Sequence, residues 1–85
     1  MASYSVRITR SATKELEIIP GKDRKRIVRR IEGLSTEPRP PGCEKLSGEE
    51  KYRLRQGDFR ILYEIADQEL VVTVVKVGNR RDVYR

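Results

Sequence analysis

Arginines recur at close spacing in the second half of this chain. Arg53 and Arg55 flank Leu54, Arg60 follows five residues later, and Arg80 and Arg81 stand just ahead of Tyr84. A guanidinium presents a planar fork of donors that matches a phosphate, and its pKa above about 12 keeps it charged. Tyrosine titrates near 10 and offers a ring on which a base can stack. Such groups suit anion binding and charge neutralisation better than proton exchange at neutral pH. The chain contains no histidine. That removes Ser-His-Asp and Cys-His nucleophile systems and most zinc sites. Any catalysis here rests on Arg, Lys, Tyr, Asp or Glu.

The overall charge points the same way without choosing a partner. Nineteen Lys and Arg against 13 Asp and Glu give the 85 residues a net charge of +6. Nucleic acid, an anionic membrane surface and an acidic protein all fit that sign. A second basic group lies earlier, at Lys22, Arg24, Lys25, Arg26, Arg29 and Arg30. Arg26, Arg29 and Arg30, with Arg81 and Lys45, are candidate phosphate contacts that would bind without reading sequence, although the same residues also describe a solvated helix face. Asp23, Glu32 and Glu37 lack metal-ligand spacing, and the glycines form no phosphate-cradling loop, so neither metal nor cofactor is expected. The one cysteine, Cys43, rules out an internal disulfide, reads as a loop thiol, and fits a reducing compartment. No apolar run reaches the roughly 20 residues that span a bilayer, and MASYSVRITR does not read as a signal peptide. The expectation is a cytoplasmic protein with no membrane partner.

The elements that must position these residues follow from periodicity. Tyr4, Val6 and Ile8 alternate with polar residues as in a half-buried strand. Ser11 is placed to cap a short helix to about Ile19, and Pro20-Gly21 breaks it. A second helix is predicted from Lys22 to Leu34, with Ile27, Val28, Ile31 and Leu34 as its apolar stripe. The two form a helical hairpin. Ser35 to Pro41 holds three of the four prolines and reads as a loop, and Glu44 to Lys51 as polar and irregular. Three strands follow, Lys51–Gln56, Phe59–Ile65 and Leu70–Val77, joined by short turns as an antiparallel meander. The last is rich in β-branched residues, which predicts a central strand covered on both faces for much of its length. The order β-α-α-β-β-β gives an α+β fold, residues 1–85 as a single domain, with an antiparallel sheet and the helical hairpin packed on one face.

Strand parity then sorts the arginines. Arg53 and Arg55 point to one face, Tyr52 and Leu54 to the other. On the next strand Phe59, Ile61 and Tyr63 oppose Arg60, Leu62 and Glu64. If Leu54 shares the core face with Ile61, then Arg53, Arg55 and Arg60 converge on the opposite face. Three guanidiniums there repel one another unless an anion sits among them, and a solvated strand face remains the plain alternative.

Four segments in order carry a resemblance: Lys45-Leu46-Ser47-Gly48, Tyr52-Arg53-Leu54-Arg55, Gly57 to Tyr63, and Val77 to Tyr84. With the element order, they make the whole chain resemble the RelE/ParE superfamily of bacterial toxins. The RelE-like branch cuts messenger RNA in the ribosomal A site, whereas the ParE-like branch poisons DNA gyrase and lacks the nuclease residues. The chain looks like the RelE branch. The resemblance implies that Arg53 and Arg55 contact and activate the RNA, that Arg60 supports the transition state, that Arg80, with Arg81 as a close rival, acts as acid or phosphate ligand, and that Tyr84 stacks on the base. It implies a metal-independent endoribonuclease whose 2′-hydroxyl nucleophile comes from the RNA, and a cognate antitoxin, ribosome and mRNA as partners. The best-known members carry lysine where this chain has Arg53 and Arg55, which leaves the general base open. A gyrase-type inhibitor and a non-catalytic RNA-binding module are the alternative readings.

Overall fold

The computed structural model describes residues 3–46 and 50–79. The chain forms β1 (Ser5–Ile8), α1 (Arg10–Glu17), α2 (Gly21–Gly33), β2 (Glu44–Lys45), β3 (Lys51–Gln56), β4 (Phe59–Ala66) and β5 (Val71–Asn79). The sheet order is β1-β5-β4-β3-β2. From β2 to β5 each pairing is antiparallel, as the short turns predicted, and the β3–β4 hairpin closes through Gly57 at φ +60°. That backbone conformation suits the first position of a two-residue hairpin turn and is strained for other residues. β1 departs from the antiparallel expectation. It adds beside β5 in parallel, Ser5 facing Val71 and Ile8 facing Val74. The two helices form the crossover side of the molecule, so the first strand returns to the last one in the same direction. β2 lies in a stretch expected to be irregular and pairs only Glu44 with Arg53 and Lys45 with Tyr52.

The helices form where the apolar spacing put them, with one cap reassigned. Thr9, not Ser11, caps α1: its Oγ1 accepts from the Ala12 amide at 3.2 Å while its own amide donates to the Val74 carbonyl at 3.0 Å. Thr9 thus joins the start of α1 to β5. Ala12 and Leu16 in α1, and Ile27 and Ile31 in α2, are buried at the i, i+4 spacing of one helix face. They meet Tyr52, Leu54, Ile61, Tyr63, Ile65, Val72, Val74 and Val77 in one core. Each such aliphatic side chain contributes about 1.5–3 kcal/mol when removed from water. β5 is interior, as predicted, but only Val72, Val74 and Val77 are fully buried; Val71, Thr73 and Val75 on its other side are half-buried. Among the described residues no second layer packs on them, so the two faces of β5 are covered unequally.

β1 ends at Ile8, opposite Val74, and beyond that point α1 closes the edge of β5. The Glu15 carboxylate accepts from the Val77 amide at 2.9 Å and from Lys76 Nζ at 3.0 Å. A strand edge otherwise open to pairing is occupied by one side chain.

At the other end of the sheet a single arginine ties down the proline-rich loop. Arg39 Nη1 and Nη2 donate to Asp67 at 3.1 and 2.8 Å, Nη2 also to Glu50 at 3.1 Å, and Nε to the Tyr52 hydroxyl at 3.0 Å. Its guanidinium lies over the Tyr52 ring, 5.1 Å from the centroid. Tyr52 donates to Glu50 at 2.7 Å, Tyr4 to Asp67 at 2.8 Å, and Lys45 to Glu50 at 3.2 Å. Below them Tyr63 stacks on Tyr52 and donates to the Pro38 carbonyl at 2.8 Å. The Tyr52, Lys45 and Arg39 contacts hold the Glu50 carboxyl below its usual range, and Arg39 with Tyr4 does the same for Asp67. Burial pushes the Tyr63 hydroxyl well above its usual pKa.

Two outcomes follow from this anchor. Tyr63→Phe removes one partly buried hydrogen bond and leaves the Pro38 carbonyl unmatched, so chemical denaturation should show a loss of about 1–2 kcal/mol. The lowered carboxyl of Asp67 stabilises the fold fully above the unfolded carboxylate range, and that contribution is lost as pH falls through the lowered value. Asp67→Asn should therefore melt below wild type at about pH 7, with the gap closing below about pH 4. A gap unchanged at about pH 2 would contradict the assignment.

Candidate functional site

The face of the sheet turned away from the helices gathers the arginines that parity selected. Arg55 pairs directly with Arg60, Leu54 with Ile61, and Arg53 with Leu62. Leu54 and Ile61 are both buried in the core, so Arg53, Arg55 and Arg60 stand together on the opposite face. β5 continues the rows: Gly78 lies opposite Arg60, and Lys76 opposite Leu62. Directly opposed side chains in an antiparallel pair have Cβ atoms about 4.5–5.5 Å apart.

The three arginines differ in depth. Arg60 is 2% exposed, whereas the side chains of Arg53 and Arg55 are 17% and 58% exposed. Gly78, beside Arg60, presents no side chain to this face. The result is a cationic patch with a buried floor and a solvent-facing rim. Its internal counter-ion was not foreseen. Glu44 on β2 faces Arg53 in the register, and its carboxylate lies 3.2 Å from Arg53 Nη2 and 3.7 Å from Arg55 Nε. The anion that the three guanidiniums were expected to need is partly supplied from within. A short strand hidden in a polar stretch carries no periodic signal, and only the register of β2 reveals the pairing. Lys76 and, two residues before Arg53, Lys51 add further cations to this face and pair with Glu15 and Glu64.

The other candidates lie elsewhere. Arg26 and Arg29 are exposed on α2, on the helical side of the sheet, away from the arginine face. Arg29 shares a shallow groove with Arg24, Lys25, Val28 and Glu32. Arg30 is half-buried and turns toward the open edge of β3, where it lines one cavity with Arg55. Lys45 sits at the Arg39 end, paired with Glu50. Asp67 of that network lies just past the end of β4 and Arg60 near its start, roughly 23 Å apart at about 3.3 Å per residue. Arg80, Arg81 and Tyr84 lie outside the described residues. The last described residue, Asn79, faces Phe59, one position from Arg60. Among the described residues, no three His, Cys, Asp or Glu side chains are grouped to hold a metal ion, and no helix is long and apolar enough to cross a membrane.

Chemically, this face can grip a phosphate and neutralise charge added to it. Arginine cannot serve as a base near neutral pH. Near the three arginines, the carboxylate that the described residues supply is Glu44.

Comparison with known proteins agrees with the architecture. The family model described as the ParE toxin of the type II toxin–antitoxin system parDE matches residues 6–84. Toxin RelG of Mycobacterium tuberculosis is 34% identical, over 96% of this chain and 97% of its own. Among solved structures, a chain of the archaeal RelE–RelB complex from Pyrococcus horikoshii superposes with a TM-score of 0.84 at 28% identity, over 92% of this chain and 96% of that one. A chain of the toxin–antitoxin complex RelBE2 from Mycobacterium tuberculosis gives 0.81 at 29% identity, over 93% of this chain and all of that one. With both the sequence family and the fold matched nearly end to end, the chain belongs to the RelE/ParE superfamily and is a RelE-type toxin of a type II toxin–antitoxin module.

Proposed function

We propose that this toxin is a ribosome-dependent endoribonuclease that cuts mRNA in the A site and so stops translation. The observation that carries the reading is the cross-strand pairing of Arg55 with Arg60, with Arg53 two residues along the same face. Like charges so placed are unfavourable in isolation and become useful when a phosphate lies among them.

In the proposed reaction the 2′-hydroxyl of the RNA attacks the adjacent phosphorus and the bond to the 5′-oxygen breaks. The products are a 2′,3′-cyclic phosphate and a 5′-hydroxyl. The proton lost by the 2′-hydroxyl goes to a base, and the departing 5′-oxygen gains one. Arg53 and Arg55 align the strand, and Arg60, fixed at the floor of the patch, binds the non-bridging oxygens as negative charge builds there. A donor held rigidly in a dry site needs no reorganisation at that moment. Arg80, with Arg81 beside it, acts at the leaving oxygen, and Tyr84 stacks on the base. No metal or cofactor enters the scheme. With arginine at both activating positions, acid–base assistance is weak, so the ribosome supplies alignment and the isolated toxin is a poor nuclease. The RelE chains solved with RelB support a further proposal, a cognate antitoxin whose acidic or amphipathic segment covers part of the basic surface in the cytoplasm.

The family model's ParE description favours one other reading, inhibition of a topoisomerase without RNA cleavage. Cell-free translation with primer extension separates the two. Wild type should leave cuts at the A-site codon, and Arg55→Ala or Arg60→Ala should slow cutting by about 10²–10³-fold. Arg55 is largely exposed, so its variant should keep the wild-type melting profile. Intact mRNA with wild type, or full cutting by both variants, would sink the nuclease reading. Loss of DNA supercoiling at concentrations that spare translation would support the other.

A further inference from the structure

Among the described residues β2 pairs with β3 only at Tyr52 and Arg53, and no other strand lies along the next residues of β3 on that side. A cavity of about 400 Å³ opens there, lined by Arg30 of α2, Gly42, Cys43 and Glu44 of the loop and β2, and Leu54 and Arg55 of β3. We propose that this cavity is a second phosphate site, holding the phosphodiester of the RNA next to the one gripped at Arg60. The proposal rests on reading the arginine face as an RNA-contact surface, and adds Arg30 as a residue that positions the strand.

Three observations carry it. First, Arg30 and Arg55 come from different elements and line the same cavity, so two forks can meet one anion. Second, the charges there do not balance. Among the described residues Glu44 is the only carboxylate in the lining, and it is already shared between Arg53 at 3.2 Å and Arg55 at 3.7 Å. Third, Arg30 is half-buried, no ion pair holds it among the described residues, and its Nε is shielded from solvent and donates no hydrogen bond there. Leaving one N–H of a half-buried guanidinium without an acceptor is costly, and a phosphate drawn to Arg30 offsets that cost. The neighbouring arginines of α2 differ: Arg26 and Arg29 are exposed, and solvent already satisfies them.

Arg55 makes the two sites continuous. Its Cβ stands on the sheet face opposite Arg60, and the same residue walls the cavity at the open edge. A strand of RNA crossing from one to the other passes one arginine that both phosphates share. Glu44 then acts as the internal stand-in, released from Arg55 as the backbone enters.

The test is binding of a short single-stranded RNA blocked against cleavage by 2′-O-methyl groups, with one methylphosphonate linkage moved along the strand. Arg30→Gln should weaken binding about tenfold, and flatten the slope of log K against log salt by about 0.7, the value for one phosphate on a single strand. Arg26→Gln, which removes the same charge from the same helix, should change affinity far less. Methylphosphonate at one linkage should cost wild type about the same factor and cost Arg30→Gln nothing further. Arg55→Gln, at the exposed wall, should couple with Arg30→Gln in a double-mutant cycle, which guards against a folding defect in the half-buried variant. Equal losses for Arg26→Gln and Arg30→Gln, a methylphosphonate effect independent of linkage, or no RNA binding by wild type would overturn the proposal. Cleavage is read separately: mRNA left intact on the ribosome would sink the nuclease reading while leaving an Arg30-dependent binding loss in place.

Discussion

Two guanidiniums opposite each other in an antiparallel ladder repel. The repulsion grows as their charged ends approach and weakens where water screens one of them. The Arg55–Arg60 pair accepts that situation, with Arg53 adding a third charge on the same face. Much of the surrounding structure answers it. Glu44 is brought within reach of Arg53 and Arg55 by the two-residue strand β2. The 58% exposure of the Arg55 side chain lets water screen one member of the pair. A phosphate finds this patch already assembled, with the orientation of its donors set by strand geometry.

Holding such a patch requires a sheet that does not shift, and a small chain has little core to spare. The structure therefore fixes its sheet at both ends by polar means. Glu15 seals the part of β5 that β1 leaves open and neutralises Lys76 beside the patch. Arg39 binds the proline-rich loop to Tyr52, Glu50 and Asp67 at the far end. These contacts lie mostly at the surface, where a lone ion pair contributes little; as a network sharing one arginine and one aromatic stack they contribute more.

The period-2 and helical patterns made every strand but β2, both helices and the core legible, because each is written in neighbouring residues. Parity alone placed Arg53, Arg55 and Arg60 together, since their spacing is set by the hairpin at Gly57-Asp58. Long-range pairings were not legible. Glu44 falls in a stretch that reads as polar and irregular, Arg39 in the proline-rich loop and Glu15 inside the first helix, none with a periodic signal of its own; each gains its role from a partner 9 to 62 residues away. The parallel seat of β1 was equally hidden, because strand order depends on how the helices cross the sheet. The basic face of α2 divides in the structure: helical geometry sends Arg30 toward β3 and leaves Arg26 and Arg29 in solvent.

The central claim is that this arginine face serves an attack by the RNA's own 2′-hydroxyl. Ribosomes programmed with mRNA carrying a single 2′-deoxynucleotide at the position of the cut test it most directly. The account predicts that the deoxy message survives while the all-ribose message is cut to a 2′,3′-cyclic phosphate end. Equal cutting of both messages, or cutting of neither, would contradict it.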